Sequence, residues 1–146
     1  MQPYEISSDT RRLDVTAIHA FLSKTYWSPG IPFETVERAV RNSVCVGAYT
    51  GRQQVGFARV VTDKTTFAYL ADVYVLEEHR GQCLSRRMME AITQLPELQG
   101  LRRMMLATRD AHGLYEKFGF TALAAPNRFM ELHNPNAYSV QPPSAA

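Results

Sequence analysis

The spacing of apolar residues changes character twice along this chain. Tyr4 to Ser7 reads as a short strand. From Leu13 to Lys24 the apolar residues fall at positions 13, 17, 18, 21 and 22, which is one face of a helix. Asp14 or Asp9 is placed to sit near its start. The run Ser28-Pro29-Gly30-Ile31-Pro32 breaks that helix. A second helix is predicted from Phe33 to Asn42, with Phe33, Val36, Ala39 and Val40 on one side. The period then shortens. Val44 to Tyr49 alternates, Thr50-Gly51 marks a turn, Gln54 to Val61 follows, and Thr62 to Thr65 marks another turn. Phe67 to Leu76 is β-rich and nearly continuously apolar. Three strands with such short connections predict an antiparallel meander. Leu84, Met88, Ala91, Ile92 and Leu95 restore a helical stripe until Pro96 stops it. Leu101 to Ala107 predicts a buried strand, and Ala111 to Phe118 a short helix closed by Gly119. Phe120 to Leu123 and Arg128 to Leu132 are expected as two final strands. The order β-α-α-β-β-β-α-β-α-β-β predicts a mixed α/β (α+β) domain, its helices packed on a largely antiparallel central sheet.

The 146 residues suffice for one domain with a core of its own. The domain is expected over residues 1–133, and the Pro-, Asn-, Ser- and Ala-rich segment 134–146 reads as a loose tail. With 45% apolar and 21% charged residues the composition is that of an average soluble protein. Disordered, collagen-like and coiled-coil classes are thereby excluded for the bulk of the chain. Lys and Arg number 16 and Asp and Glu 14, a net charge of +2. That balance gives no electrostatic case for nucleic acid or a membrane surface as partner. Cys45 and Cys83 make no disulfide framework, and their spacing is not that of a zinc site, so no metal is expected. The N-terminus carries charges and no apolar run, unlike a signal peptide, and no stretch approaches the ~20 apolar residues of a membrane span. A reducing cytoplasm is the expected compartment.

Asp72 to Met89 is the most informative segment, because an apolar strand there runs into a loop that turns directly into an amphipathic helix. The first N–H groups of a helix have no partner inside it, and the helix dipole adds partial positive charge at that end. Such a turn takes anions, phosphate above all. Gly81 and the small residues Cys83 and Ser85 leave the backbone approachable, and Arg80 adds a permanent charge with a bidentate fork. Taken alone, the segment also reads as an ordinary helix start with a solvated Arg, since short glycine motifs recur by chance.

The same segment resembles the acetyl-CoA site of the GNAT superfamily of N-acetyltransferases, whose pyrophosphate loop reads R/Q-x-x-G-x-G/A at the start of a helix. Here the pattern falls on Arg80, Gly81, Gln82, Cys83, Leu84 and Ser85. Cys83 and Ser85 stand where the family has glycine-type residues. The lead-in Asp72-Val73-Tyr74-Val75 is similar to the family's fourth strand, whose backbone pairs with the pantetheine arm like an added strand. The resemblance implies that Val73, Tyr74 and Val75 contact the cofactor, Val75 through a main-chain N–H. A second match lies downstream: Leu106 to Phe120, ending Leu114-Tyr115-Glu116-Lys117-Phe118-Gly119-Phe120, resembles the family's fifth strand and following helix. Together the two matches cover Phe67 to Phe120. Residues 1–43, where acceptor specificity would lie, match only in outline.

What the resemblance implies is direct attack of an amine on the acetyl thioester of acetyl-CoA, with no metal. Tyr115 matches the usual proton donor to the leaving thiolate, a group of intrinsic pKa about 8.5. An alkylamine acceptor, pKa about 10.4, must lose a proton first, so a base or ordered water is expected. Asp72 and His112 are the candidates, followed by Glu34. Asp72 has other readings, as a turn cap or as a partner for Arg59. The aromatic loop residues Tyr26 and Trp27 fall where the family covers its acceptor, and could stack on an aromatic acceptor or face a cationic amine. Cys83 is either a reactive thiol or a small residue serving in place of Gly. The acceptor expected is a small-molecule amine. Two rival readings stand beside it: a catalytically silent acyl-CoA sensor, and an acetyltransferase acting on protein N-termini or lysines. No oligomeric state follows from the sequence; a homodimer, the commonest soluble oligomer, is the assembly to test.

Overall fold

The computed structural model of the protein describes residues 3–138. Nine elements form in the order β1 (Tyr4–Ser7), α1 (Val15–Leu22), α2 (Phe33–Arg41), β2 (Val44–Thr50), β3 (Gln53–Thr62), β4 (Phe67–Val75), α3 (Leu84–Gln94), β5 (Arg103–Leu106) and α4 (His112–Glu116). The strands make one sheet in the order β1-β2-β3-β4-β5. Neighbours are antiparallel from β1 to β4, and β5 joins β4 in parallel.

Local chemistry accounts for the boundaries. Asp14 caps α1 by accepting from the Ala17 N–H, while Asp9 caps a short 3₁₀ turn, Thr10–Arg12, just before it. The helix therefore begins at Val15, two residues later than the apolar stripe predicts, because Leu13 is extended. Gly51 takes φ +58 in the tight β2–β3 connection, where a side chain would be strained. Asp63 closes the β3–β4 turn by accepting from the N–H groups of Thr65, Thr66 and Phe67, and these bonds hold its carboxyl well below the usual carboxylate range. Phe120 N–H returns to the Tyr115 carbonyl, and Gly119 at φ +91 ends α4.

Both faces of the sheet are covered. Val46, Ala48, Val55, Val60 and Leu70 face α3, meeting Leu84, Met88, Met89 and Ile92, and Tyr115 of α4 joins this cluster. Cys45, Phe57 and Tyr74 face the other way and meet Ile18 and Leu22 of α1 and Val36 and Val40 of α2. Along β4 the burial is two-sided only toward its end: Ala68 and Leu70 are buried while Phe67 and Tyr69 between them are exposed. No helix among the described residues is long and apolar enough to cross a membrane.

The two final strands expected at Phe120–Leu123 and Arg128–Leu132 do not form. The segment is irregular apart from a 3₁₀ turn at Pro126–Arg128. Ala122, Ala124, Ala125 and Asn127 are weak strand formers, and a strand exists only against a partner. Among the described residues the outer edge of the short β5 receives none, and Met130 and Leu132 stand fully exposed. Within the segment 134–146, Tyr138 packs against the cluster that contains Ile18 and Ile31. The rest of it, 139–146, lies outside the described residues.

Candidate functional site

The site begins with a defect in β4. Phe57 pairs with Tyr74 and Arg59 with Ala71, so β4 carries one residue more than β3 over the same span. That bulge contains Asp72, which takes φ +56, a left-handed conformation that Asp tolerates better than most residues. On the other edge, pairing of β4 with β5 ends at Leu70–Leu106. Ala71 to Val75 therefore has a sheet neighbour on one side only. The Leu76 N–H bonds the Val55 carbonyl of β3 at 2.8 Å. By the alternation of strand backbone, the Val75 N–H and carbonyl face the open edge. Arg80 confirms this direction, its Nε donating to the Val75 carbonyl at 3.1 Å.

The loop after β4 is bent for access. Gly81 has φ +80 with nothing within 4 Å of where a Cβ would stand. Cys83 has φ +59 and is exposed. The first bond into α3 runs from the Arg87 N–H to the Cys83 carbonyl, and no side chain caps the helix. Its first turn holds no acid; Arg86 and Arg87 stand there instead. Cations at the positive end of a helix oppose its dipole. An anion against the free N–H groups of this turn would reverse that penalty. Of the residues expected to hold the cofactor, Val73, Tyr74, Val75, Arg80 and Ser85 line one open groove of about 850 Å³. Gly81, Gln82 and Cys83 complete the exposed loop between them. Leu84 is 2% exposed, so its side chain belongs to the core and only its N–H is available to a ligand.

The far wall of the same groove comes from α1 and the loop after it. Phe21 stacks flat on Tyr74, ring centres 3.9 Å apart. Tyr26 and Trp27 also line it, 56% and 42% exposed, so neither is packed under its loop. They meet edge to face at 5.0 Å. The loop itself is anchored by the buried hydroxyls of Thr25 and Ser28, both donating to the Leu22 carbonyl.

Tyr115 and His112 line a second groove of about 1080 Å³, between β5 and the irregular segment after α4. Tyr115 is 7% exposed and lies in the same apolar cluster as Val75 and Leu84. Burial raises its pKa, so the phenol stays protonated at neutral pH. His112 is exposed at the start of α4. Glu34 is exposed in the first turn of α2 and lines neither groove. Asp72 is paired: Arg59 Nε donates to its Oδ2 at 2.7 Å and Trp27 Nε1 to its Oδ1 at 2.9 Å. Burial pushes the Cys45 thiol up to about 12, so it is an inert core group. Two contributors were not visible in the sequence. Phe21 was legible only as part of the α1 stripe, and Arg109, whose guanidinium lies 3.9 Å over the Tyr26 ring, carried no signal at all.

An open strand edge leading to an uncapped, basic helix start suits an extended ligand that carries an anion such as phosphate. Comparison with known proteins names the class. Residues 41–122, more than half of the chain, match the family model "Acetyltransferase (GNAT) domain". A Gibberella zeae protein assigned as an acetyltransferase is 36% identical over 137 residues, covering 78% of this chain and 76% of that relative. The crystal structure of a Xanthomonas campestris protein assigned to the GNAT family is 48% identical, with a TM-score of 0.91 over 95% of this chain and 99% of that one. An assigned acetyltransferase of Clostridium acetobutylicum, solved with acetyl-CoA, shares the fold at a TM-score of 0.66 and 16% identity, covering 91% of this chain and 96% of its own. The chain belongs to the GNAT family of acetyltransferases.

Proposed function

We propose that this acetyltransferase moves the acetyl group of acetyl-CoA to the primary amine of a small molecule. The observation that carries the reading is a single groove bounded by the open β4 edge and Arg80 on one side and by Tyr26 and Trp27 on the other. When bound, acetyl-CoA supplies an acetyl thioester, an acyl group activated toward amines. The residues present fit it. The Val75 N–H offers strand-like hydrogen bonding along the open edge, beside its carbonyl, which accepts from Arg80. Arg80, the Gly81–Cys83 loop and the free N–H groups at the start of α3 hold the pyrophosphate.

Tyr115 serves as the general acid, its buried phenol giving a proton to the departing sulfur. With Asp72 paired to Arg59, His112, which lines the second groove together with Tyr115, is the base we propose, directly or through an ordered water. The acceptor wall is aromatic, and among the described residues lining the groove there is no acid, the charged ones being Lys24 and Arg80. That lining disfavours polyamines and favours an amine attached to an aromatic or anionic body. Two free thiols, one exposed, suit a reducing cytoplasm. The free β5 edge beside the exposed Met130 and Leu132 supports a homodimer.

The reading is tested by measuring thiol release from acetyl-CoA across a panel of amines. Arylalkylamines and amino acids are expected to exceed spermidine and putrescine in kcat/KM by roughly tenfold or more, about 1.4 kcal/mol of discrimination. A polyamine as the best acceptor, or turnover only on a peptide N-terminus or lysine, would overturn the acceptor assignment.

A further inference from the structure

Asp72 was the first candidate for the base, yet both of its carboxylate oxygens are spent. Oδ2 accepts from Arg59 and Oδ1 from the Trp27 indole, at 2.7 and 2.9 Å. Arg59 also donates from Nη1 to Ser43 Oγ at 3.1 Å. The Arg59 and Asp72 side chains are only 18% and 11% exposed. Protonating Asp72 would strip a shielded guanidinium of its counter-ion, which is a poor device for moving protons. As a structural device the same arrangement is well built. A chain of hydrogen bonds runs from the start of β2 through β3 and the β4 bulge to the aromatic loop. The left-handed bulge is what turns the carboxylate toward that loop.

The aromatic pair is held from the opposite side as well. Arg109, between β5 and α4, stacks on Tyr26 at 3.9 Å, and Tyr26 meets Trp27 edge to face. Two solvent-facing aromatic rings on a loop would sample many rotamers if they were free. Here one is tied to β4 and the other to the segment that leads to Tyr115.

We infer that Asp72 is a positioning residue: together with Arg59 it fixes the Trp27 indole as the wall against which the acceptor is placed. The kinetic part of this inference rests on the small-amine reading above; the structural part does not. Trp27 is the only tryptophan in the chain, so its fluorescence reports on the wall without any substrate.

The experiment compares the wild type with Asp72→Asn, Trp27→Phe, the double variant and Arg59→Lys. Asn suits the left-handed bulge as well as Asp does, and Trp27→Phe leaves the Arg59–Asp72 pair intact. Acrylamide quenching of Trp27 is expected to rise at least twofold in Asp72→Asn and in Arg59→Lys. With an active acceptor, Asp72→Asn and Trp27→Phe should each raise the acceptor KM by about tenfold, with kcat within about threefold and an unaltered pH profile. The double variant should be no worse than Asp72→Asn alone. Unchanged quenching would overturn the positioning role. So would a hundredfold loss of kcat confined to Asp72→Asn, because that is the signature of a base. If no amine turns over, the small-amine reading fails, and the quenching result still decides the role of Asp72.

Discussion

In the proposed mechanism the Tyr115 hydroxyl keeps its proton until the departing sulfur takes it, and burial favours that. Its raised pKa keeps the acidic form populated beyond the ordinary tyrosine value of about 10. Any loss of activity from phenol ionisation should therefore set in at a higher pH than an ordinary tyrosine would give. Tyr115→Phe removes one oxygen from a ring that stays packed against Phe120, so the fold should persist. Acetyl-CoA affinity should change little, because the hydroxyl serves charge that develops during reaction. Turnover should fall by roughly 10²-fold, about 2.7 kcal/mol of transition-state stabilisation. Steady-state kinetics with the best acceptor checks this. Equal rates in the two enzymes would make Tyr115 structural and leave the sulfur to be protonated by water.

At the scale of elements, the start of α3 carries both the cofactor loop and a local strain. Cys83 precedes the helix in a left-handed conformation, which costs an L-residue about 1–2 kcal/mol. Glycine would remove that cost but lose more freedom on folding, about 0.5–1 kcal/mol. Cys83→Gly should thus leave the melting temperature within a few degrees and the acetyl-CoA affinity equal or tighter. A clear loss of affinity in a well-folded variant would show that the Cys83 side chain is itself a contact. The elements from β2 to α4 were legible because their periods are set by burial within one chain. The last two strands were not, since Phe120 to Leu123 and Arg128 to Leu132 form strands only if an edge receives them. The Arg80–Ser85 turn and the position of Tyr115 could be singled out from contiguous residues. The link from Trp27 to Asp72 could not, because it joins positions 45 residues apart through a bulge whose backbone no residue pattern announces.

For the whole molecule, the β5 edge, unpaired among the described residues, and the exposed Met130 and Leu132 are the features that stand out. If a second copy covers them, sedimentation should give a dimer for the wild type, and Met130→Asp with Leu132→Asp should give a folded monomer. A wild-type monomer at high concentration would rule that assembly out. The central claim is that the open edge of β4 and the bare start of α3 form one acetyl-CoA site, and isothermal titration of acetyl-CoA into the wild type and Arg80→Ala tests it most directly. The account predicts one molecule bound per chain in the wild type and binding at least tenfold weaker in the variant, a loss of about 1.4 kcal/mol. No heat at millimolar acetyl-CoA, or equal affinity in the two proteins, would contradict it.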